Sequence, residues 1–370
     1  MTSLRPNIVR RIERLPKPKN LAAAMQPLFE AVSNAIHSVQ GRFGETVSQQ
    51  GQIHITVSTN RNKDQVWATV EDNGFGLDKT NWNAFTETDT GNKISTGGKG
   101  IGRLLWLDCF QKVSVVSTYK TDAGMERRSF DFVLKQDEQI QNETVETVAP
   151  SEGSSFFVRF DGLRDNGYLA NFPGRDSFIF QHLTSHFLPT FIGKKCPKIS
   201  VYVGDETRHY PAEIDNIVHR KQADIRLETE EYGLLLLTLM ECDKVASADL
   251  NGHHFVHFIA HDRTVQSQSI DGKLGLKYFG DNGDRVFHAI LTGEYLDKNV
   301  NQERTAFMFE DVVLDRIIND VCTVHIEEFL KEPLEKLGGE QREKIEQITE
   351  RYAVKRSPAL TSLMIKLCSQ

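Results

Sequence analysis

The spacing of apolar residues near the start of the chain predicts a long amphipathic helix. From Leu21 to Val39, apolar residues recur at every third or fourth position, which places them on one stripe of a helix. At about 100° per residue, Glu30, Asn34 and His37 lie together on the side away from that stripe. Because polar helix faces are usually only solvated, this group needs support from elsewhere in the sequence to indicate a site.

Alternating apolar and polar residues predict a β-sheet that begins after this helix. Residues 52–59 and 66–70 alternate and are separated by a polar turn, which is typical of a β-hairpin. These elements and those that follow predict an α+β fold, a two-layer α/β sandwich with an antiparallel or mixed sheet and helices on one face. The further predicted strands are 112–119, 129–134, 155–160 and 199–203, with a helix at 178–191.

A second α+β block is predicted from residue 211 to residue 310. It includes residues 223–227, the apolar runs at 234–240 and 286–291, and a predicted strand at 254–259. The four histidines of 253–261 leave a metal site and a half-exposed strand as alternatives, and the lack of nearby cysteines favours the strand. Helical spacing returns after residue 311 with Val313, Ile317, Val321 and Val324, and a highly charged segment follows at 331–352.

Composition places the protein among ordinary soluble globular proteins. Its 370 residues leave room for about two domains and a tail. The hydrophobic share of 39% and the charged share of 26% exclude a disordered or fibrous chain, and no apolar stretch has the length of a membrane span. Five scattered cysteines without a CxxC pair favour a reducing, cytoplasmic location over a disulfide framework.

The distribution of charge is more informative than the net charge of -7. Residues 1–20 contain six basic residues against one acidic residue, and three prolines that predict an extended basic arm. This arm is either a solvated terminus or a docking arm for a partner subunit or an anion. Because the total charge is negative, any contact with DNA is expected to be local.

Three short motifs follow the first helix in a fixed order. Asp72-x-Gly74-x-Gly76 comes at the end of a predicted strand, and Gly97-x-x-Gly100-x-Gly102 precedes a predicted helix. Glu152-Gly153-Ser154 then opens another strand. Each motif alone occurs by chance in turns and loops, so the order after a helix with Glu30-x-x-x-Asn34 carries the information.

In this order and context the sequence resembles the GHKL superfamily of ATPases, which includes gyrase-type topoisomerases, heat-shock chaperones, histidine kinases and MutL. The resemblance is firm over residues 21–160 and looser to residue 310. It implies slow ATP hydrolysis with Mg²⁺. The implied domains are a basic arm at 1–20, a Bergerat-type ATP-binding domain at 21–210, a transducer-like α+β domain at 211–310 and a helical segment at 311–370.

The resemblance places the base of ATP at the motif after the second strand. Asp72 would accept a hydrogen bond from the exocyclic amine of adenine, and Gly74 and Gly76 would let the backbone turn tightly and approach the ring. Ser154 resembles the hydroxyl residue that helps to hold this aspartate and its water.

The phosphates would be bound by the second glycine-rich segment, because backbone N–H groups at a helix N-terminus attract anions. Lys93 or Lys99 would add a point charge, with plain solvation of each lysine as the alternative. The segment from Asp78 to Thr96 is similar to the lid that closes over nucleotide in the family. The predicted phosphate-binding residues are Gly97, Gly98, Lys99, Gly100, Ile101 and Gly102.

Hydrolysis would depend on two residues of the first helix. Asn34 offers a neutral oxygen suited to Mg²⁺ and is the predicted metal ligand. Glu30 lies one turn away on the same face and matches the family's general base, which polarises the attacking water. His37 departs from the aspartate often found three residues after the asparagine.

The second block adds a candidate for sensing the γ-phosphate. Arg304 ends an Asn-x-x-Arg sequence that resembles the catalytic-loop arginine of chaperone- and MORC-type ATPases. A surface arginine is the alternative, and Lys298 is a weaker candidate for the same role.

By resemblance, ATP binding would close the lid and dimerise two amino-terminal halves, with the arm crossing to the partner, and would drive a protein effector. The alternative is a nucleotide-sensing interaction module of a DNA-processing or phage-defence complex, in which hydrolysis is incidental. A histidine kinase is disfavoured, because the helix with the first ATP motif begins at residue 21 and no helical-hairpin phosphoacceptor domain is seen before it. DNA binding stays open, and no membrane partner is expected.

Overall fold

A computed structural model describes residues 7–59, 65–86, 102–261, 263–276, 278–301 and 306–352. The chain divides into two units, Met1–Asn216 and Ile217–Gln370. Both units combine a β-sheet with helices, which confirms the predicted α+β fold.

The first unit is built on a mixed eight-stranded sheet with the strand order β5-β4-β3-β6-β2-β1-β7-β8. The predicted hairpin is present as the antiparallel pair β1–β2, with Ile55 opposite Val70. Strand β7 pairs in parallel with β1, which makes the sheet mixed. The strands are β1 Gln52–Ser58, β2 Trp67–Asp72, β3 Phe110–Thr121, β4 Gly124–Phe132, β5 Ile140–Val148, β6 Ser155–Leu163, β7 Lys198–Val203 and β8 Glu206–Tyr210.

Helix α2 packs on this sheet together with α5 and α7. It begins after Asn20, whose side chain accepts from the backbone N–H of Ala23, and its apolar stripe is buried from Ala24 to Val39. The helices of the unit are α1 Ile8–Glu13, α2 Leu21–Phe43, α3 Val47–Gln50, α4 Lys79–Thr86, α5 Gly102–Cys109, α6 Tyr168–Asn171 and α7 Asp176–Ile192.

The described part of the basic arm differs from the extended arm that the prolines predict. Residues 8–13 form helix α1, because Asn7 caps its first turn and Ile12 is buried against the unit. Lys17 pairs with the buried carboxylate of Asp108. Residues 7–20 are therefore packed on their own unit in this structure.

The second unit contains a five-stranded sheet with the order β12-β11-β13-β10-β9. Its core lies between this sheet and helices that include Leu314, Ile326 and Phe329. The elements are β9 Val218–Thr229, β10 Gly233–Asp243, β11 Phe255–Ala260, β12 Arg263–Ser269, α8 Asp271–Leu274, β13 Arg285–Gly293, α9 Glu294–Lys298, α10 Asp311–Ile317, α11 Thr323–Phe329 and α12 Lys331–Tyr352.

A turn of π-helix at Ile318–Cys322 changes the helical stripe predicted after residue 311. The wider turn inserts one residue into the helical repeat, so the buried positions shift after it. Val324 is 71% exposed, whereas Ile326 is buried. The predicted helical segment is present, and the π-turn leaves Val324 off its buried stripe.

The strand predicted at 254–259 is present as β11, but the prediction that it is half-exposed is wrong. Strand β11 lies inside the sheet between β12 and β13, and His254 and His257 are both buried. His257 Nε2 lies 2.9 Å from Nδ1 of His288, whose Nε2 lies 2.8 Å from Ser247 Oγ. Burial lowers the pKa of His257 to about 4, so these imidazoles are neutral hydrogen-bonding groups of the core.

Candidate functional site

A cavity of about 450 Å³ opens in the first unit beside the end of strand β2. It lies between helix α2, the turn after β2, the lid-side helix α4, helix α5 and strand β6. Its lining combines predicted site residues with several apolar and aromatic side chains. The lining residues are Asn34, Ala35, His37, Ser38, Asp72, Phe75, Gly76, Leu77, Asn81, Ala84, Phe85, Arg103, Trp106 and Phe156.

Four polar side chains follow each other at steps of four residues along α2: Glu30, Asn34, Ser38 and Arg42. Each step advances about 6 Å along the helix and turns by only about 40°, so the four form one slowly winding stripe about 18 Å long. Glu30 lies at the α5 end of this stripe, and Arg42 lies at the turn after β2. One helix thus carries residues for both ends of an elongated ligand.

Asp72 closes the β2 end of the cavity with a carboxyl group that is only 3% exposed. Its Oδ1 accepts a hydrogen bond of 2.8 Å from the backbone N–H of Gly74. Burial raises the pKa of Asp72 to about 7, opposed by the Gly74 hydrogen bond and by Arg42 and reinforced by Glu71. A buried acceptor of this kind can select a ligand that presents an N–H donor.

The two glycines of the motif leave no room for a side chain. A Cβ at Gly74 would lie 2.1 Å from Ser38 Oγ and 2.7 Å from Asp72 Oδ1. Gly76 has a φ of +70°, and a Cβ there would lie 2.4 Å from the carbonyl oxygen of Thr118. Gly74 is explained by its close approach to Ser38 and Asp72. Gly76 is explained by its left-handed conformation and by its close approach to the Thr118 carbonyl oxygen.

Arg42 ties three chain segments together at the same end of the cavity. Its Nη1 donates to the carbonyl oxygens of Asn73 at 2.6 Å, Gly74 at 3.0 Å and Ser154 at 2.9 Å. Ser154 is thus placed beside the Asp72 turn through its backbone. The role predicted for its hydroxyl stays a prediction.

At the other end of the stripe, the Glu30 carboxylate lies directly against the start of helix α5. A Cβ at Gly102 would be 2.4 Å from Glu30 Oε2, so only glycine at this position leaves the carboxylate where it is. The remaining phosphate-binding predictions lie outside the described residues. They are Lys93, Gly97, Gly98, Lys99, Gly100 and Ile101.

The described part of the predicted lid is helix α4, which is fixed to the sheet by aromatic contacts. Trp82 and Phe85 pack against Phe130 of strand β4 at centroid distances of 5.5 and 5.4 Å. Arg103 of α5 donates to the carbonyl oxygen of Ala84 at 2.7 Å. Arg103 therefore connects α5, which follows the second glycine motif, to α4, the first helix of the predicted lid segment.

The candidates for γ-phosphate sensing are not placed at a site by the structure. Arg304 lies outside the described residues. Lys298 ends helix α9, where it is 69% exposed and pairs with Glu294 at 2.6 Å. Both roles remain predictions.

Three cavity-end residues were missed by reasoning from sequence: Ser38, Arg42 and Arg103. Ser38 accepts from the backbone N–H of Phe75 at 3.0 Å, which fixes the turn from the helix side. Extending the step of four from Glu30 and Asn34 would have pointed to Ser38 and Arg42. Arg103 carries no comparable signal beyond its position directly after the glycine motif.

Comparison with known proteins agrees with this geometry. Residues 20–138 match the family model of histidine kinase-, DNA gyrase B- and HSP90-like ATPases. The amino-terminal unit therefore contains a segment that matches the GHKL-type ATPases, in agreement with the resemblance of its motifs. The matched segment contains every predicted nucleotide-site residue except Ser154 and Arg304.

Among solved structures, the chain is similar to one described as the N terminal domain of a DNA repair protein, with a TM-score of 0.50 and 14% identity. The match covers 83% of this chain and 93% of that chain. At this identity the likeness bears on the fold alone. A search of curated proteins finds no match. In the part of the chain that the structure describes, no helix is long and apolar enough to cross a membrane.

Proposed function

We propose that the protein is a Mg²⁺-dependent ATPase that acts as a conformational switch. The observation that supports this most is a cavity lined by the buried carboxyl of Asp72 and by the amide of Asn34, with the Glu30 carboxylate one helical turn from Asn34 and against Gly102. The Asp72 carboxyl suits an adenine amine, and the Glu30 and Asn34 side chains suit the polar chemistry of a triphosphate.

The residues divide the work by position along helix α2. Asp72 accepts from the adenine amine, while Gly74 and Gly76 keep the backbone close to the ring. Asn34 is exposed to the cavity and would hold Mg²⁺ through its amide oxygen. When bound, Mg²⁺ neutralises charge on the phosphate oxygens. Glu30, beside Gly102, orients a water molecule and accepts its proton.

The finer functional predictions belong to the same proposal. ATP binding joins two copies of the chain through their amino-terminal units, and the second unit serves as a transducer that passes the change to an effector. A cytoplasmic location fits the composition. The DNA repair description of the similar structure makes DNA a partner worth testing, by measuring ATP hydrolysis with and without duplex DNA.

Glu30→Gln provides the main test of hydrolysis. The variant should bind ATP as the wild type does and lose phosphate release, because the amide cannot accept a proton from water. Glu45→Gln is the matched control, since Glu45 is exposed and pairs with Lys195 away from the cavity. Undiminished phosphate release by Glu30→Gln would remove the catalytic role of Glu30, and absence of ATP binding by the wild type would overturn the proposal as a whole.

Dimerisation is tested separately by measuring molar mass in solution. A non-hydrolysable ATP analogue should convert the wild type from monomer to dimer, and ATP itself should trap the Glu30→Gln dimer. A chain that binds the analogue and stays monomeric would refute ATP-driven dimerisation. It would favour a nucleotide-sensing module within a larger complex.

A further inference from the structure

We propose that Arg42 is a positioning residue for nucleotide recognition, which holds the base-binding end of the cavity in shape and so gives the protein its preference for adenine. This inference rests on the ATPase function proposed above. It concerns a residue that acts through Asp72 and the backbone around it.

The first support is where the three Arg42 hydrogen bonds fall in the sheet. Strands β2 and β6 are paired by backbone hydrogen bonding only up to Asp72 and Phe156. The ladder ends at that pair, and Gly76 and Phe156 on the two segments line the cavity. Arg42 Nη1 bonds to the carbonyls of Gly74 and Ser154, one on each chain, just past the last pair. Arg42 thus joins the two segments directly after the point where the backbone pairing of β2 and β6 ends.

The second support is the chain of contacts from Arg42 to the Asp72 carboxyl. Arg42 holds the carbonyls of Asn73 and Gly74, and the N–H of Gly74 in turn holds Asp72 Oδ1. Ser38, one turn earlier on α2, fixes the N–H of Phe75. The orientation of the carboxyl is therefore set from α2 through two consecutive peptide groups.

The third support is the charge of the guanidinium group. Three carbonyl oxygens converge on it, and their partial negative charges need a cation that can donate in one plane. The same positive charge opposes the effect of burial on the pKa of Asp72 and so favours the ionised, accepting form. Besides Arg42, the other charged or titratable groups near this end are Glu71 on β2 and, lining the cavity, His37 on α2 and Arg103 on α5.

Loss of Arg42 should affect one end of the ligand and spare the other. The turn after β2 would lose its fastening to Ser154, so the base would be bound less tightly and with less discrimination. Glu30 lies about 18 Å from Arg42 along helix α2 and is placed against Gly102, so loss of Arg42 should leave its position unchanged. KM for ATP should therefore rise while kcat at saturating ATP changes little.

Calorimetry with ATP, GTP and inorganic tripolyphosphate tests this division in the full chain. For Arg42→Met, ATP affinity should fall by about tenfold or more, because three hydrogen bonds to a charged group are lost. The ratio of ATP to GTP affinity should fall with it, and tripolyphosphate affinity should stay within about twofold of wild type. Arg42→Lys should recover part of the ATP affinity, since an ammonium group restores the charge without the planar donors.

Two further variants keep the test decisive. Arg159→Met on β6 is the matched control, because it removes a guanidinium group that pairs with Asp161 and stacks on Trp67 but does not line the cavity; it should leave all three affinities unchanged. If Arg42→Met does not fold, Arg42→Gln keeps donors without the charge and is judged by the same ratios.

The outcomes separate this inference from the proposed function. A wild type that binds no ATP overturns the proposed function. A wild type that binds ATP, with Arg42 variants that keep its ATP affinity and its ratio to GTP, overturns the role of Arg42 alone. An equal loss of ATP, GTP and tripolyphosphate binding also overturns it, because that pattern indicates general destabilisation of the unit.

Discussion

Replacement of Asp72 by asparagine tests whether burial raises the pKa of this carboxyl group. Burial raises the pKa of Asp72 from 3.8 to about 7 in the folded protein. In the unfolded chain the pKa of Asp72 is near its ordinary value. Between about pH 4 and about pH 7 the folded state therefore binds more protons than the unfolded state. The free energy of unfolding should therefore fall as pH rises from about 4 to about 7, and stay level above that.

The magnitude follows from the size of the pKa shift. A shift of about three units corresponds to at most about 4 kcal/mol, at about 1.4 kcal/mol per unit. Asparagine has the same shape and can still accept from the Gly74 N–H, but its own N–H group costs about 1–3 kcal/mol if it has no partner. The variant should be more stable than wild type by about 1–3 kcal/mol above pH 7, and less stable below pH 4.

Urea denaturation between pH 4 and pH 8 measures this difference directly. The three tryptophans, Trp67, Trp82 and Trp106, all belong to the first unit, so their fluorescence reports on the unit that contains Asp72. Glu45→Gln, at an exposed carboxylate that pairs with Lys195 away from Asp72, should keep the pH dependence of the wild type. The reasoning is refuted if Asp72→Asn loses as much stability as wild type over this range. ATP binding by the variant should be lost, because its amide would place a donor against the adenine amine.

Further variants test other parts of the structure. Gly102→Ala should lower kcat by about 100-fold with little change in nucleotide affinity, because a Cβ there would lie 2.4 Å from Glu30 Oε2 and displace the carboxylate; unchanged turnover in a steady-state assay would contradict the placement of Glu30. Arg103→Met removes the hydrogen bond to Ala84, so amide exchange in helix α4 should speed up by about tenfold while strand β1 is unaffected; equal rates would show that α4 does not depend on it. The pKa of His257 is lowered by burial from 6.5 to about 4, so the second unit should lose about 3 kcal/mol as pH falls through this window. His257→Gln should remove that share of the loss, measured by urea denaturation with circular dichroism, and an unchanged pH profile would disprove it.

Most of the core elements follow from hydrophobic spacing, because they bury one face. Helix α2 and the β1–β2 hairpin could be predicted for this reason. Strand β5 could not, since it is an edge strand with six of its nine residues exposed and none buried, and its sequence has no apolar alternation to detect. The shifted stripe around Val324 could not either, because a π-turn changes the helical repeat without a sequence signal.

The candidate site was predicted where residue type alone carries the chemistry. Asn34 and Asp72 line the cavity and Glu30 lies against Gly102, while the roles predicted for them stay predictions. Arg42 was missed because its use is to hold backbone carbonyls from distant parts of the chain, and only the folded structure shows which carbonyls converge. Residues that act on other residues are the hardest to infer from sequence.

The regular spacing of Glu30, Asn34, Ser38 and Arg42 on α2 has a consequence for how this protein can change in evolution. An insertion of one residue between Asn34 and Ser38 would rotate the later half of the helix by about 100° relative to the earlier half. The carboxylate beside Gly102 and the guanidinium at the β2 turn could then no longer both reach their places. Insertions and deletions should therefore be tolerated in the loops around α2 and rejected between Glu30 and Arg42, where they would break the register of the two side chains.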